Sequence, residues 1–170
     1  MEKLLRMIDC LSIFFGKAGS FLIPLVAGFV IYEVFMRYFL RLPTLWVSES
    51  IAMGCLIFYF LSSAWVLQAG RHAKIEALYD RVSIRRRAIL DVGTFFFFAL
   101  YVVVMFYAGA VFFWDSLKVQ ETSGSPWNPS IYPLKFVIIL GFFLLFLQGM
   151  AKLIRDLRFL LKGDPNAPKH

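Results

Sequence analysis

Four long apolar runs alternate with shorter polar segments along the chain: Gly19 to Phe39, Trp46 to Gln68, Ala88 to Phe113 and Pro133 to Ile154. A helix rises about 1.5 Å per residue, so about 20 apolar residues cross a hydrocarbon core about 30 Å thick. Each run meets that length. In hydrocarbon the backbone N–H and C=O groups find no water, and a helix satisfies them within its own segment. The pattern predicts an all-α membrane protein with four transmembrane helices at 19–39, 46–68, 88–113 and 133–154. The remainder (1–18, 69–87, 114–132 and 155–170) is too small for a second domain, so residues 1–170 read as a single membrane domain.

The polar segments have a periodicity of their own. Leu4, Met7, Ile8, Leu11, Phe14 and Phe15 recur at helical spacing, with Lys3, Arg6, Asp9 and Lys17 elsewhere on the turn, which predicts a helix lying along the membrane interface. Ile75, Leu78, Tyr79 and Val82 repeat the pattern in the middle segment, flanked by Arg71, Lys74 and Arg81. After Lys152 the fourth run continues as an amphipathic extension, with Leu153, Ile154, Leu157, Leu160 and Leu161 against Arg155, Arg158 and Lys162. Three such stripes on one side describe either a protein braced in one leaflet or ordinary flanking helices. Between the third and fourth runs, WDSLKVQETSGSPWNPSIYP is rich in turn-forming residues and predicts a loop with little regular structure. Trp114, Trp127 and Tyr132 fit an aromatic belt there, and Pro133 suits the first turn of the last helix.

Charge sets the orientation. Lys3, Arg6, Lys17, Arg71, Lys74, Arg81, Arg85, Arg86, Arg87, Lys152, Arg155, Arg158, Lys162 and Lys169 fall on one side of the four runs, and Arg37, Arg41, Lys118 and Lys135 on the other. A bias of 14 to 4 in short loops places both termini and the middle segment in the cytoplasm. The net charge of +7 is therefore lopsided. Its expected partner is anionic phospholipid, contacted by Arg71, Lys74, Arg81, Arg85, Arg86 and Arg87 at roughly 1 kcal/mol each; a basic excess laid out this way reads as an orientation signal and not as a nucleic-acid patch. The first run follows a long charged leader, is longer than a signal core and lacks a small-x-small site, so it is expected to remain as a span. Cys10 and Cys55 fall at different depths and are not expected to pair.

One charged pair lies inside a run. In EVFMRYF, Glu33 lies about one and a half turns from the outer end of the first span, and Arg37 stands at i+4 on the same helical face. The connection from Leu40 to Leu45 is short and predicts an antiparallel hairpin, which brings Glu49 of TLWVSES to the level of Arg37. The three side chains are expected either to form a salt-bridged cluster that fixes the hairpin or to turn one carboxylate toward a partner subunit or polar pathway.

Signals for chemistry are absent from the sequence. It contains no Gly-rich phosphate loop, no HExxH and no nucleophile elbow, and its only histidines are His72 and His170. No catalysis, cofactor or metal site is expected. Asp91, four residues after Arg87 in the first turns of the third helix, is explained by the positive helix end, with Ser83 as the N-cap of that region.

The motifs themselves have a recognisable order. RYF (Arg37 to Phe39), then W-x-x-E (Trp46, Glu49), an apolar span, G-x-H-x-x-[IV]-[DE] (Gly70, His72, Ile75, Glu76) and a late WNPSIYPLK element resemble the small permease subunit, DctQ type, of tripartite ATP-independent periplasmic (TRAP) transporters. Ser48 stands where that family often has a second glutamate, Ala73 where isoleucine is frequent, and Glu76 where aspartate is usual. The resemblance implies a noncatalytic scaffold in the bacterial inner membrane, paired with a large DctM-type permease and served by a periplasmic solute-binding protein. It also implies sodium-coupled, elevator-like uptake of an organic acid by the large subunit. The PLK and Leu147–Gly149 stretches look closer to branches handling monocarboxylates or 2-oxo acids than to sialic acid carriers. Two rival classes are a self-contained homo-oligomeric channel or transporter, which needs polar helix faces, and a membrane-embedded enzyme, which needs a cluster richer than His72, Glu76, Asp80 and Asp91.

Overall fold

The computed structural model describes residues 2–69 and 84–162. Five helices account for most of them: α1 (Glu2–Ser20), α2 (Leu22–Tyr38), α3 (Leu45–Gln68), α4 (Ile84–Lys118) and α5 (Tyr132–Lys162). Among the described residues four stretches are long and apolar enough to cross a membrane: Glu2–Tyr38, Leu45–Gln68, Ile89–Lys118 and Tyr132–Leu161. The first of them combines α1 and α2.

Helix ends follow from local chemistry. α1 and α2 are separated only by Phe21, itself in the helical region at φ −66° and ψ −19°. Pro24 explains the interruption, because it has no N–H to offer the Ser20 carbonyl and its ring crowds that oxygen. At the far end of α2, Arg41 takes a left-handed conformation (φ 55°), the Leu42 N–H returns to the Met36 carbonyl at 3.1 Å, and Pro43 cannot continue a helix. Thr44 is extended and leads into α3. α4 and α5 extend past their apolar runs, so charged residues occupy their terminal turns.

These helices form an open row. α2 packs on α3, α3 on α5 and α5 on α4, while α1 lies against both α3 and α5. Since successive spans alternate in direction, neighbouring α3 and α5 run parallel. Close approach along the seams depends on small residues, as expected where lipid is as apolar as the side chains and helix contact relies on tight packing. A side chain at Gly141 of α5 would meet the Phe60 backbone oxygen at 2.8 Å, and one at Gly54 of α3 would meet Val26 of α2 at 2.6 Å. Only a few hydrophobic side chains are buried, among them Val47, Ala64, Val102, Leu144, Leu145 and Ala151. Both faces of the row are thus broadly apolar and exposed.

Candidate functional site

Two belts of polar side chains bracket the row. Lys135 and Lys152 mark them on α5, 17 residues apart, or about 26 Å along the axis, close to the thickness of a hydrocarbon core.

In the belt that Lys135 marks, the only buried residue of α2 is a carboxylate: Glu33 is 7% exposed. Arg37, one turn on, donates to its Oε1 from Nη2 at 2.6 Å and from Nε at 3.2 Å. Thr44 donates to Oε2 from its backbone N–H at 3.3 Å and also from its hydroxyl. Both carboxylate oxygens are engaged, so Glu33 fastens the α2–α3 turn from within. Trp46 closes the same hairpin, edge-on to Phe29 at 6.2 Å and tilted over Tyr32 at 6.1 Å.

The expected trio of Glu33, Arg37 and Glu49 assembles only in part. Val47 is buried, and Glu49, two residues on, stands about 200° round the helix. Glu49 instead accepts a hydrogen bond from Ser123 Oγ at 3.3 Å, joining α3 to the α4–α5 loop. That loop has no strand or helix beyond an isolated bridge between Thr122 and Ser130, yet it is closely hydrogen-bonded. Ile131 N–H bonds Glu121 O, Ser123 N–H bonds Pro129 O, and the Asn128 side chain accepts from Gly124 N–H. Gly124 and Asn128 supply left-handed residues, for which glycine and asparagine are suited. Lys135 sits in the first turn of α5, where the helix end disfavours a cation. It is accommodated by an ion pair to Glu121 at 2.5 Å and by the Phe112 ring at 4.1 Å. The Lys135 ammonium holds the Glu121 carboxyl below its ordinary range.

The belt that Lys152 marks was not legible as a site. Gln148, 1% exposed on α5, donates from Nε2 to Asp9 Oδ1 at 3.0 Å and accepts from Ser12 Oγ at 2.9 Å. Asp9 also pairs with Arg155 at 2.5 Å. One turn further along α5, Lys152 meets Asp91 of α4 at 2.5 Å and Asp156 at 3.7 Å. Asp91, explained from sequence by its own helix end, therefore also ties α4 to α5. The one signal available beforehand was Gln148 itself, a lone amide in the apolar stretch LLFLQGM that needs partners from another helix.

Gly70, Arg71, His72, Lys74, Ile75, Glu76 and Arg81 lie outside the described residues, as does Ser83; Arg85, Arg86 and Arg87 fall in the first turn of α4 with their side chains undescribed. Among the described residues no group of three or more His, Cys, Asp or Glu side chains converges as a metal site would. The described cations of the belts, Arg37, Lys135, Lys152 and Arg155, each meet a carboxylate. The arrangement joins helices to one another.

Comparison with curated proteins finds no match. Comparison with protein families matches residues 26–159 to tripartite ATP-independent periplasmic transporters, DctQ component. The matched stretch takes in most of α2, all of α3 and α4 and nearly all of α5, with both belts' residues on those helices. The chain belongs to the DctQ family, and is thus the small multi-pass membrane component of a TRAP transporter, a family of transporter parts whose membership implies association with a DctM permease and a binding protein.

Proposed function

We propose that this chain is a fixed scaffold in the bacterial inner membrane for a large DctM-type permease, which performs sodium-coupled uptake of an organic acid delivered by a periplasmic solute-binding protein. The observation that carries this reading is the distribution of charge. The segments 18–32, 50–69, 92–114 and 136–151 contain no charged residue. A charge at mid-bilayer costs roughly 2.5 to 3.5 kcal/mol on insertion scales and is placed there for an ion or substrate pathway. This chain has none, and the described cations Arg37, Lys135, Lys152 and Arg155 meet carboxylates toward the two ends of the row. An open row with two apolar faces suits a part that is completed by another protein, and it fits poorly with a self-contained channel or transporter.

Both termini are assigned to the cytoplasm from the basic bias, so the Glu33–Arg37 belt faces the periplasm. Arg71, Lys74, Arg81, Arg85, Arg86 and Arg87 are assigned to anionic headgroups on the opposite side. The solute is proposed to be a monocarboxylate or 2-oxo acid. Proteoliposomes under a sodium gradient test the scheme: uptake of labelled acids from these classes should need this chain, the large permease and the binding protein together. Uptake by this chain alone rejects the scaffold reading. An epitope placed at the carboxyl terminus should be shielded from outside, and neutralising Arg85 to Arg87 should expose it in part.

A further inference from the structure

α1 precedes the stretch matched to the family, which begins at Val26. Its apolar stripe faces away from the protein: Leu4, Met7, Leu11 and Phe14 are exposed, while Leu5, Ser12, Gly16 and Gly19 are buried. Affinity for a membrane surface explains the outer stripe, since an interfacial helix needs no more than that. It does not explain what lies underneath. Gly19 sits against Ser62 and Gly16 against Trp65, so closely that a Cβ at residue 16 would lie 2.5 Å from Trp65 Cβ. Further toward the amino terminus the partner changes from α3 to α5, where Ser12 and Asp9 meet Gln148 and Arg155. With α2 already on Gly54 and Thr44, the two helices from Glu2 to Tyr38 follow one another as a rod interrupted at Phe21. The rod is fastened to α3 at its outer end and to α5 at its inner end.

Gln148 suits this junction for a chemical reason. Its amide supplies one donor and one acceptor side, and a carboxylate only accepts, so Nε2 must face Asp9 and Oε1 must take the serine hydroxyl. Buried amides and hydroxyls are retained where both are satisfied.

We propose that Gln148 is a positioning residue that pins α1 as a diagonal strut across the inner ends of α3 and α5, making α1 part of the rigid frame presented to the large permease. The relevance to the permease rests on the scaffold reading; the pin itself does not. Without the strut, α3 and α5 are joined along a single seam and the row is free to bend about it. With the strut, α1 bridges the two helices where they lie next to its amino-terminal half.

The full chain reports on this directly. Cys10 is exposed on α1 and Leu161 is exposed on α5, so spin labels at Cys10 and at Leu161→Cys, in a Cys55→Ala background, give an α1–α5 distance in nanodiscs. The unmutated pin should give one narrow peak, alone and in complex with the large permease. Gln148→Leu, which keeps bulk and loses the amide, should broaden or shift that peak. Gln148→Glu, which keeps the shape but sets a carboxylate against Asp9, should broaden it too, and Asp9→Asn in that background should restore it, because the amide then donates from residue 9 while Ser12 still donates to residue 148; a role in bulk packing predicts no change in Gln148→Glu. An unchanged peak in Gln148→Leu overturns the pin. Failure of the unmutated chain to copurify with the large permease, with the peak behaving as stated, overturns the scaffold reading alone.

Discussion

α2 and α5 are both apolar enough to cross a bilayer, but they are used in opposite ways. α2 leaves Ile31, Val34, Phe35 and Tyr38 exposed and buries only Glu33, whereas α5 buries Gly141, Leu144, Leu145, Gln148, Gly149, Ala151 and Asp156. α2 is the edge of the row and touches α3 and the end of α1; α5 is its centre and touches α1, α3 and α4. Within lipid, apolarity carries no information about which side chains face protein, because exposure to lipid costs them little. Small and polar residues mark the protein-facing side instead.

The comparison can be broken most severely at glycine. Gly141→Leu should push α5 from α3, since the atom in its way includes a backbone oxygen at 2.8 Å that no rotamer change can move. Overpacking of this kind costs about 1–3 kcal/mol, and the upper end is expected, read as a fall in the thermal midpoint in detergent. Gly28→Leu on α2 is the counterpart, with nothing within 4 Å, and should leave the midpoint unchanged. If both glycines respond alike, the distinction between centre and edge is wrong.

Next in size is Arg37→Glu, which sets a second carboxylate beside Glu33 in the one buried position of α2. A lowered midpoint and less copurified large permease are expected, with Arg37→Lys retaining most of both. Unchanged copurification would remove Arg37 from assembly. The smallest effect concerns Glu121, whose carboxyl is held below its ordinary value near 4.5 by Lys135. A lowered carboxylate contributes stability above its unfolded pKa and loses it as pH falls through the folded one. The loop should therefore hold at neutral pH and loosen progressively below about pH 4.5, seen in Trp127 fluorescence. Glu121→Gln should abolish that dependence; its persistence would assign the titration elsewhere.

Contacts legible beforehand were those with short sequence separation. Glu33 and Arg37 stand four apart on one helix, so their pairing follows from the helical repeat alone. The partner of Glu49 did not follow, because it depends on how far α3 is rotated and on a loop 74 residues away. Asp9 and Gln148, 139 apart, meet only because α3 and α5 lie side by side and leave a furrow for α1. Of the stripe Leu4, Met7, Ile8, Leu11, Phe14 and Phe15, four residues are exposed, and the protein contacts come from the neighbouring face of Leu5, Ser12, Gly16 and Gly19. Amphipathicity identifies two sides of a helix and leaves open which of them meets protein.

By itself the sequence determined four lengths of helix and the hairpin turn between the first two spans, for these depend on rise per residue, backbone satisfaction in lipid and local turn chemistry. Membership of the family is also contained in it, through the order of its motifs. Tertiary structure alone decided the order of helices in the row, the rotation that sends Glu49 to the loop, and the seat of α1 on Gln148. Each of those depends on which small residues allow two backbones to approach, a property of pairs of helices that no single segment carries.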